Sequence, residues 1–304
     1  MIKVGLLGLG NKSEATLRFM KKSKIFDFAG IYDQDISRVS KIAEQLKLNF
    51  TANPFGLIMQ SDLLIIPKDY EKAYNLIVES ILNSKHVVIE NPLALTLKEL
   101  DNLLKLSSEA SVSVVPFLPL RFNNSIVNAK PYVSNPSYIQ LTYSIASKSE
   151  LSPIEKSEEL INLIDMIIYL VKANVKNLQA NSIKVAGNAS QLIACRFEFD
   201  NGCIANLMMD FISNKDELQM TVYQSGQIVN FDLINNNSFV KTFDKVNSMK
   251  YKITKPISIE KENIYEGIIG YLNTVEKCQT QISLIESFKN SLTILKKVED
   301  KLAQ

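Results

Sequence analysis

The sequence is poor in histidine: of 304 residues, only His86 is one. That excludes a metal site built from several histidines and any HExxH motif, and histidine chemistry must use His86 or none. Tryptophan is absent, and cysteine is limited to Cys195, Cys203 and Cys278. An odd, small number of cysteines is not a disulfide framework and suits a reducing compartment. There is also little excess charge, because 34 basic and 32 acidic side chains leave a net +2. That balance offers nothing to nucleic acid or to an anionic membrane surface. No apolar run reaches the roughly 18 residues of a membrane span. The opening segment MIKVGLLGLG is apolar enough to suggest a signal peptide. However, glycines punctuate it, it runs into Asn11, Lys12, Ser13 and Glu14, and no small-residue cleavage site follows. The expected location is the cytoplasm.

What is present is an ordinary globular composition, 46% hydrophobic and 22% charged, and at roughly 150 residues per domain the length predicts two domains. Up to about residue 120, short apolar runs alternate with amphipathic stretches. Strands are predicted at Ile2 to Leu7, Phe28 to Tyr32, Asp62 to Ile66, His86 to Ile89 and Val112 to Phe117. Helices are predicted at Lys12 to Lys24, Asp35 to Leu46, Tyr70 to Leu82 and Thr96 to Ser108, the last with a Thr96–Glu99 capping box. All-apolar strands alternating with helices make a doubly wound α/β domain with a parallel sheet.

The pattern changes after Arg121. Tyr138 to Ala146 alternates as a strand, Glu155 to Val171 is an apolar-rich helix, and Ser182 to Ile253 holds strands and turns only. Arg196 to Phe199, the turn Asp200-Asn201-Gly202 and the run from Cys203 form a hairpin signal. Helices close the chain near 261–277 and 284–302. The expected division is a dinucleotide-binding Rossmann domain over 1–120. It is followed by an α+β domain over 121–304 with an open antiparallel sheet, and the last helices are expected to pack back on the first domain.

Gly8-Leu9-Gly10-Asn11-Lys12-Ser13 follows a strand and opens a helix, reading as GxGxxG with serine at the third glycine. The first glycine permits a tight turn, the second lets a pyrophosphate approach the backbone, and the helix N-terminus supplies N–H donors. Asp33 closes the next strand 23 positions after Gly10, near the spacing of a carboxylate that binds the adenosine ribose. Its charge favours NAD over NADP by repelling a 2′-phosphate, whereas Glu14 in the first helical turn works against a pyrophosphate.

The segments around this turn resemble the Gfo/Idh/MocA family of glucose–fructose oxidoreductase and inositol dehydrogenase relatives. Ile2 to Gly10 resembles the family's opening strand and fingerprint. Lys85 to Thr96 (KHVVIENPLALT) resembles its GKHVxxEKPxAxT segment, Arg121-Phe122 its RF element, and Asn162-Leu-Ile-Asp165 its HxxD motif. The resemblance implies NAD(P)-dependent hydride transfer at a carbon of a sugar or cyclitol. In that scheme the EKP lysine contacts the reacting hydroxyl and the cofactor. The HxxD histidine is the general acid/base, and the aspartate holds substrate or orients that histidine. It also implies a homodimer or homotetramer through the C-terminal sheet. The chain departs twice, since the lysine is Asn91 and the histidine is Asn162.

A carboxamide hydrogen-bonds but does not titrate near neutrality, so general acid–base catalysis worth about 10²–10⁴ in rate needs another group. The expected arrangement is Asp165 as base with Asn91 and Asn162 holding hydroxyls, and Lys148 or Tyr143 as further candidates. Asn91 is equally a loop residue suited to the backbone before Pro92. Asn162 and Asp165, three apart in an apolar helix, are expected to point into a cleft. Arg121 is assigned either an anionic group of the substrate or a salt bridge at the domain boundary. Pro67 and Glu90 are assigned to the cofactor side, with Gly8, Gly10, Asn11, Lys12 and Asp33. His86 is expected to be structural, Cys195 and Cys203 to be small sheet residues, and no metal is expected. Two functions follow: an oxidoreductase acting on a polyol by non-standard catalysis, or a catalytically inactive relative that binds a nucleotide or sugar.

Overall fold

The computed structural model describes residues 1–10, 13–67, 73–146, 151–185, 191–244, 250–256, 267, 268, 270, 272 and 284–303. The chain divides into two compact units, Met1–Phe117 with Ile268–Lys289, and Leu118–Gly267 with Asn290–Gln304.

In the first unit, β1 (Ile2–Leu7), β2 (Phe26–Tyr32), β3 (Phe50–Thr51), β4 (Leu63–Ile66), β5 (His86–Ile89) and β6 (Val114–Pro116) form one sheet in the order β3-β2-β1-β4-β5-β6. Every pairing in it is parallel. Covered on both faces, such a sheet is made of near-continuous apolar runs, and Leu6, Ile31, Leu64, Val88 and Val115 are fully buried. The helices α1 (Ser13–Lys22), α2 (Ile36–Leu46), α3 (Pro54–Gln60), α4 (Ala73–Leu82) and α5 (Leu97–Ala110) supply the cover. α2 buries Val39, Ala43 and Leu46, and Asp35 caps it by accepting from the Arg38 N–H. Thr96 and Glu99 close the capping box of α5.

β3 and α3 are additions to the sequence pattern, which predicts a plain connection from Leu46 to Asp62. β3 has only two residues, too few for a period. α3 begins with Asn53 as N-cap and Pro54 in its first turn. It lies so close to β1 that a Cβ at Gly5 would stand 2.5 Å from Ser61 Oγ, which makes Gly5 a packing glycine.

The second unit contains α6 (Asn124–Ala129), α7 (Pro153–Val171) and a sheet of β7 (Pro136–Ser144), β8 (Val175–Ile183), β9 (Leu192–Phe199), β10 (Ile204–Asp210), β11 (Glu217–Gln224), β12 (Gln227–Asp232), β13 (Asn237–Phe243) and β14 (Tyr251–Thr254). Its order is β14-β13-β12-β11-β7-β10-β9-β8. All pairs are antiparallel except β7 with β10, so the sheet is mixed. β9 and β10 form the expected hairpin, with Gly202 at φ +85°. Alternate residues such as Ile193, Cys195, Phe197, Leu207 and Met209 are buried on the face where α7 packs against β7. Ser152 caps α7 through a capping box with Glu155, so the helix starts two residues earlier than its apolar pattern suggests. The last helix is Leu284–Leu302. The helix expected near 261–277 lies largely outside the described residues. No described helix is long and apolar enough to cross a membrane.

Candidate functional site

In the first unit the strands end at one edge. The chain runs β1, β2, β3 toward one side of the sheet and β4, β5, β6 toward the other, so the order reverses between β1 and β4. Outside the carboxyl ends at such a reversal is where doubly wound sheets take ligands. Gly8 to Gly10 follow β1, Asp33 follows β2, buried Pro67 follows β4, and half-buried Glu90 and Asn91 follow β5. Gly8 has φ +114°, a conformation costly for any residue with a Cβ, and its N–H donates to Tyr32 O at 2.7 Å. Asp33 is 7% exposed. Its Oδ2 accepts from Leu9 N–H at 2.7 Å and its Oδ1 from Asp35 N–H at 2.8 Å. The carboxylate thus fixes the glycine turn and the start of α2 together.

Arg38, which the sequence reading did not single out, reaches the same turn, donating from Nη1 to Leu9 O at 3.0 Å and from Nη2 to Gly10 O at 3.5 Å. Glu90 N–H donates to Ile66 O at 2.9 Å, continuing the β4–β5 ladder into the edge. Asn91 precedes the helical turn Pro92–Ala94, and its side chain makes no capping bond. Asn11 and Lys12 lie outside the described residues, as does the side chain of Glu14.

In the second unit the polar residues of α7 meet a buried arginine. Arg121 Nε donates to Asp165 Oδ2 at 2.6 Å and Nη2 to Asp165 Oδ1 at 2.5 Å. Ser291, fully buried on the last helix, donates to Asp165 Oδ1 at 2.9 Å. The guanidinium lies 4.7 Å from the centroid of the Tyr169 ring, and the Lys130 ammonium lies 3.9 Å from it while donating to the Tyr169 hydroxyl. Of the two alternatives expected for Arg121, the structure shows the salt bridge, and its partner is Asp165. The aspartate is 1% exposed, and both its oxygens are engaged by Arg121 and Ser291. The arginine has its anion inside the protein rather than on a substrate.

Asn162 uses its amide on its own helix, Nδ2 donating to Glu158 O at 2.8 Å, and keeps its carbonyl oxygen as an acceptor. Tyr143 on β7 is bonded to Glu159. Burial first, and then the charge of Glu159, raise its phenol above the usual range, so it stays a hydrogen-bond donor rather than a base. Lys148 lies outside the described residues. His86 accepts from Ser113 N–H through Nδ1 at 3.0 Å, joining the start of β5 to the approach to β6. Cys195 and Cys203 are buried free thiols, which burial alone pushes up to about 12 and about 11.

Residues 2–117 match the GFO_IDH_MocA family, described as an oxidoreductase family with an NAD-binding Rossmann fold. A curated relative, UDP-N-acetylglucosamine 3-dehydrogenase of Acidithiobacillus ferrooxidans, is 19% identical over 237 residues, covering 77% of this chain and 75% of the relative. The crystal structure of UDP-N-acetylglucosamine 3-dehydrogenase GnnA from Acidithiobacillus ferrooxidans superposes with a TM-score of 0.81 at 15% identity, over 99% of this chain and 97% of that one. A dehydrogenase (MviM) from Clostridium difficile gives 0.79 at 17% identity, over 99% of each chain. An NAD binding oxidoreductase from Klebsiella pneumoniae gives 0.76 at 15%, over 99% and 97%.

Proposed function

We propose, from the match of residues 2–117 to an oxidoreductase family with an NAD-binding Rossmann fold, that the chain is an NAD(P)-dependent oxidoreductase acting on a sugar or cyclitol-like polyol without the lysine and histidine that the resemblance implies. The observation that carries this reading is the alignment of Gly8, Gly10, Asp33, Pro67, Glu90 and Asn91 along one sheet edge at the reversal of strand order. The residues fit a dinucleotide: the turn at Gly8 has the backbone that the fingerprint requires, and a buried carboxylate stands at the ribose position. Gly8 and Gly10 with Asn11 and Lys12 would hold the pyrophosphate, Asp33 the adenosine ribose, and Pro67 and Glu90 the nicotinamide side. The bound cofactor supplies a hydride acceptor.

The protein's own contribution is polar positioning. Asn91 in the first unit and Asn162 in the second each offer a carboxamide that suits a hydroxyl. Asp165, locked to Arg121, fixes the rotation of α7 and so the direction in which Asn162 points. Proton transfer falls to Glu159, half-buried one helical turn before Asn162 on α7, with the Tyr143 phenol holding its carboxylate in place. The curated relative's name makes a nucleotide sugar the first substrate to try. A second copy covers the outer face of the second unit's sheet, where Met208 (38% exposed), Tyr223 (42%) and Phe239 (38%) stand among polar neighbours. Two buried thiols suit the reducing cytoplasm.

The test is titration of NADH and NADPH by their own fluorescence, followed by turnover on UDP-N-acetylglucosamine and a polyol panel. Binding with turnover that Glu159→Gln abolishes supports the reading. Lack of binding at near-millimolar cofactor overturns it. Binding without turnover favours the inactive relative, to which the two asparagines and the occupied Asp165 already point.

A further inference from the structure

β8 is an edge strand. It pairs with β9 on one side, and no described strand lies on the other. Over Val175–Ile183 that leaves a row of backbone N–H and C=O groups facing away from the sheet, the part of a sheet most open to another chain. At its start the edge borders a groove of about 360 Å³, within the second unit. Val175, Lys176, Asn177 and Leu178 line it from the strand, and Lys297, Asp300 and Lys301 line it from the last helix. Lys297 and Lys301 are four apart and share a helix face. All three lysines are exposed. Among the described residues the ion pairs of the second unit lie elsewhere, at Arg121–Asp165, Arg196–Glu198 and Lys215–Glu217. The groove therefore sets three ammonium groups against the single carboxylate of Asp300, a local excess that the chain's even overall balance does not predict. At the far end of the edge the character changes, with Ile183 47% and Val185 56% exposed.

We propose that this edge is a docking site for an extended segment of another protein, acidic at one end and apolar at the other. The segment adds to β8 as a further strand, with its carboxylates against Lys176, Lys297 and Lys301 and its apolar side chains beside Ile183 and Val185. Backbone hydrogen bonds along an added strand give affinity, and its alternate side chains give the choice of partner. The lysines also say what the edge refuses. Lysine on an edge, together with the register shift between Val175 and Asn177, guards against indiscriminate pairing. A second copy of the same edge is a poor occupant. Two β8 strands paired antiparallel about Ala180 would set Lys176 of each opposite Lys184 of the other, and like charges directly opposite repel. An acidic segment turns the same charges into attraction. This edge is distinct from the outer face of the sheet assigned above to a second copy, and the proposal is independent of the dinucleotide reading.

The probe is a fluorescein-labelled peptide of about ten residues, made in both chain directions. Glutamate alternates with threonine in one half and valine with threonine in the other. Anisotropy with the full chain measures binding, and hydrogen exchange locates it. One direction of the peptide is expected to bind, to slow exchange over Val175–Ile183, and to weaken as salt is added. The triple variant Lys176→Gln, Lys297→Gln, Lys301→Gln should weaken it about tenfold, the combined scale of three exposed charge pairs. A peptide with glutamine for glutamate should lose a similar factor. The control variant Lys250→Gln, Lys252→Gln, Lys255→Gln removes equal charge from exposed positions in and beside β14, the opposite edge, and should leave binding unchanged. Lack of binding at about 1 mM peptide overturns the proposal. So does binding that leaves exchange in β8 unaltered, which would mean a patch of lysines and nothing more. Equal binding of the glutamine peptide, or an equal loss in the control variant, overturns the role of the three lysines. Protection of β8 that grows with protein concentration in the absence of peptide would give the edge to a second copy instead.

Discussion

Two buried aspartates, one in each unit, show how the same side chain can be used in opposite ways. Among the described residues, Asp33 accepts from backbone N–H groups, those of Leu9 and Asp35. Amides carry no net charge, so the carboxylate keeps its own, at a sheet edge where ligands bind. Asp165 accepts a bidentate guanidinium and a serine hydroxyl. Its charge is cancelled inside the protein, and what remains is a mechanical link between α7, the turn Pro119–Phe122 and the last helix. A carboxylate held by amides is available to a ligand, while one held by a guanidinium is committed to the fold.

The largest effect expected from breaking this contrast is at Asp165. Asp165→Ala removes the carboxylate that buried Arg121 holds with two of its nitrogens, which should cost about 3–5 kcal/mol of stability in urea unfolding. The double variant Arg121→Met, Asp165→Leu should regain most of it. Equal stability for the single and double variants would sink the view that the pair serves the fold.

Cys195 extends the comparison to a buried group that the fold keeps neutral. Burial alone pushes its thiol up to about 12, against about 8.5 in an unfolded chain. The folded pKa is the higher one. The thiol's contribution is therefore fully present below pH 8.5 and is lost progressively between pH 8.5 and 12, because only the unfolded state ionises there. At pH 10 the loss is about 2 kcal/mol, from about 1.4 kcal/mol per pH unit. Cys195→Ala should flatten that decline in stability-versus-pH curves, and an unchanged slope would count against it.

Asp33→Ala removes two hydrogen bonds to amides at a partly open edge. It should cost about 1–2 kcal/mol in unfolding, smaller than the Asp165 effect, while weakening NADH more than tenfold. A loss at Asp33 as large as that at Asp165, with NADH binding unaltered, would reverse the contrast.

The smallest expected change in stability is at Asn162, whose amide nitrogen donates to the carbonyl of Glu158 on its own helix. Asn162→His should stay within about 0.5 kcal/mol of the wild type. Combined with Asn91→Lys it should raise turnover or cofactor affinity. A double variant that binds no better and stays inert would show that these positions do not face substrate.

The aspartates also differ in how far each was legible. Asp33 announced itself through spacing, because the distance from the glycine turn to the end of β2 is fixed by one helix and one strand. Arg38 lay five residues further on and went unread, since an arginine in the first turn of a helix ordinarily faces solvent. Asp165 is marked by a motif, but its partners Arg121 and Ser291 stand 44 and 126 positions away and leave no local trace. Glu159 and Tyr143 met only when α7 packed on β7. The short pieces β3 and α3 escaped because neither is long enough to develop a period.

The sequence by itself determined the elements and their class. Apolar runs without alternation require a sheet covered on both faces, alternation after residue 136 requires a sheet with one covered face, and the glycine turn requires positive φ at Gly8. These are local demands, carried by neighbouring residues. Only the tertiary structure decided which charge faces which. Long-range pairs depend on where helices rest on sheets, and no local pattern encodes that. The single histidine shows both sides. Its position at the start of β5 could be read directly, but its role as acceptor for the Ser113 amide came from the neighbouring strand. The asparagines at positions 91 and 162 were equally plain in the sequence. That Asp165 is tied to Arg121 became visible only in the folded chain.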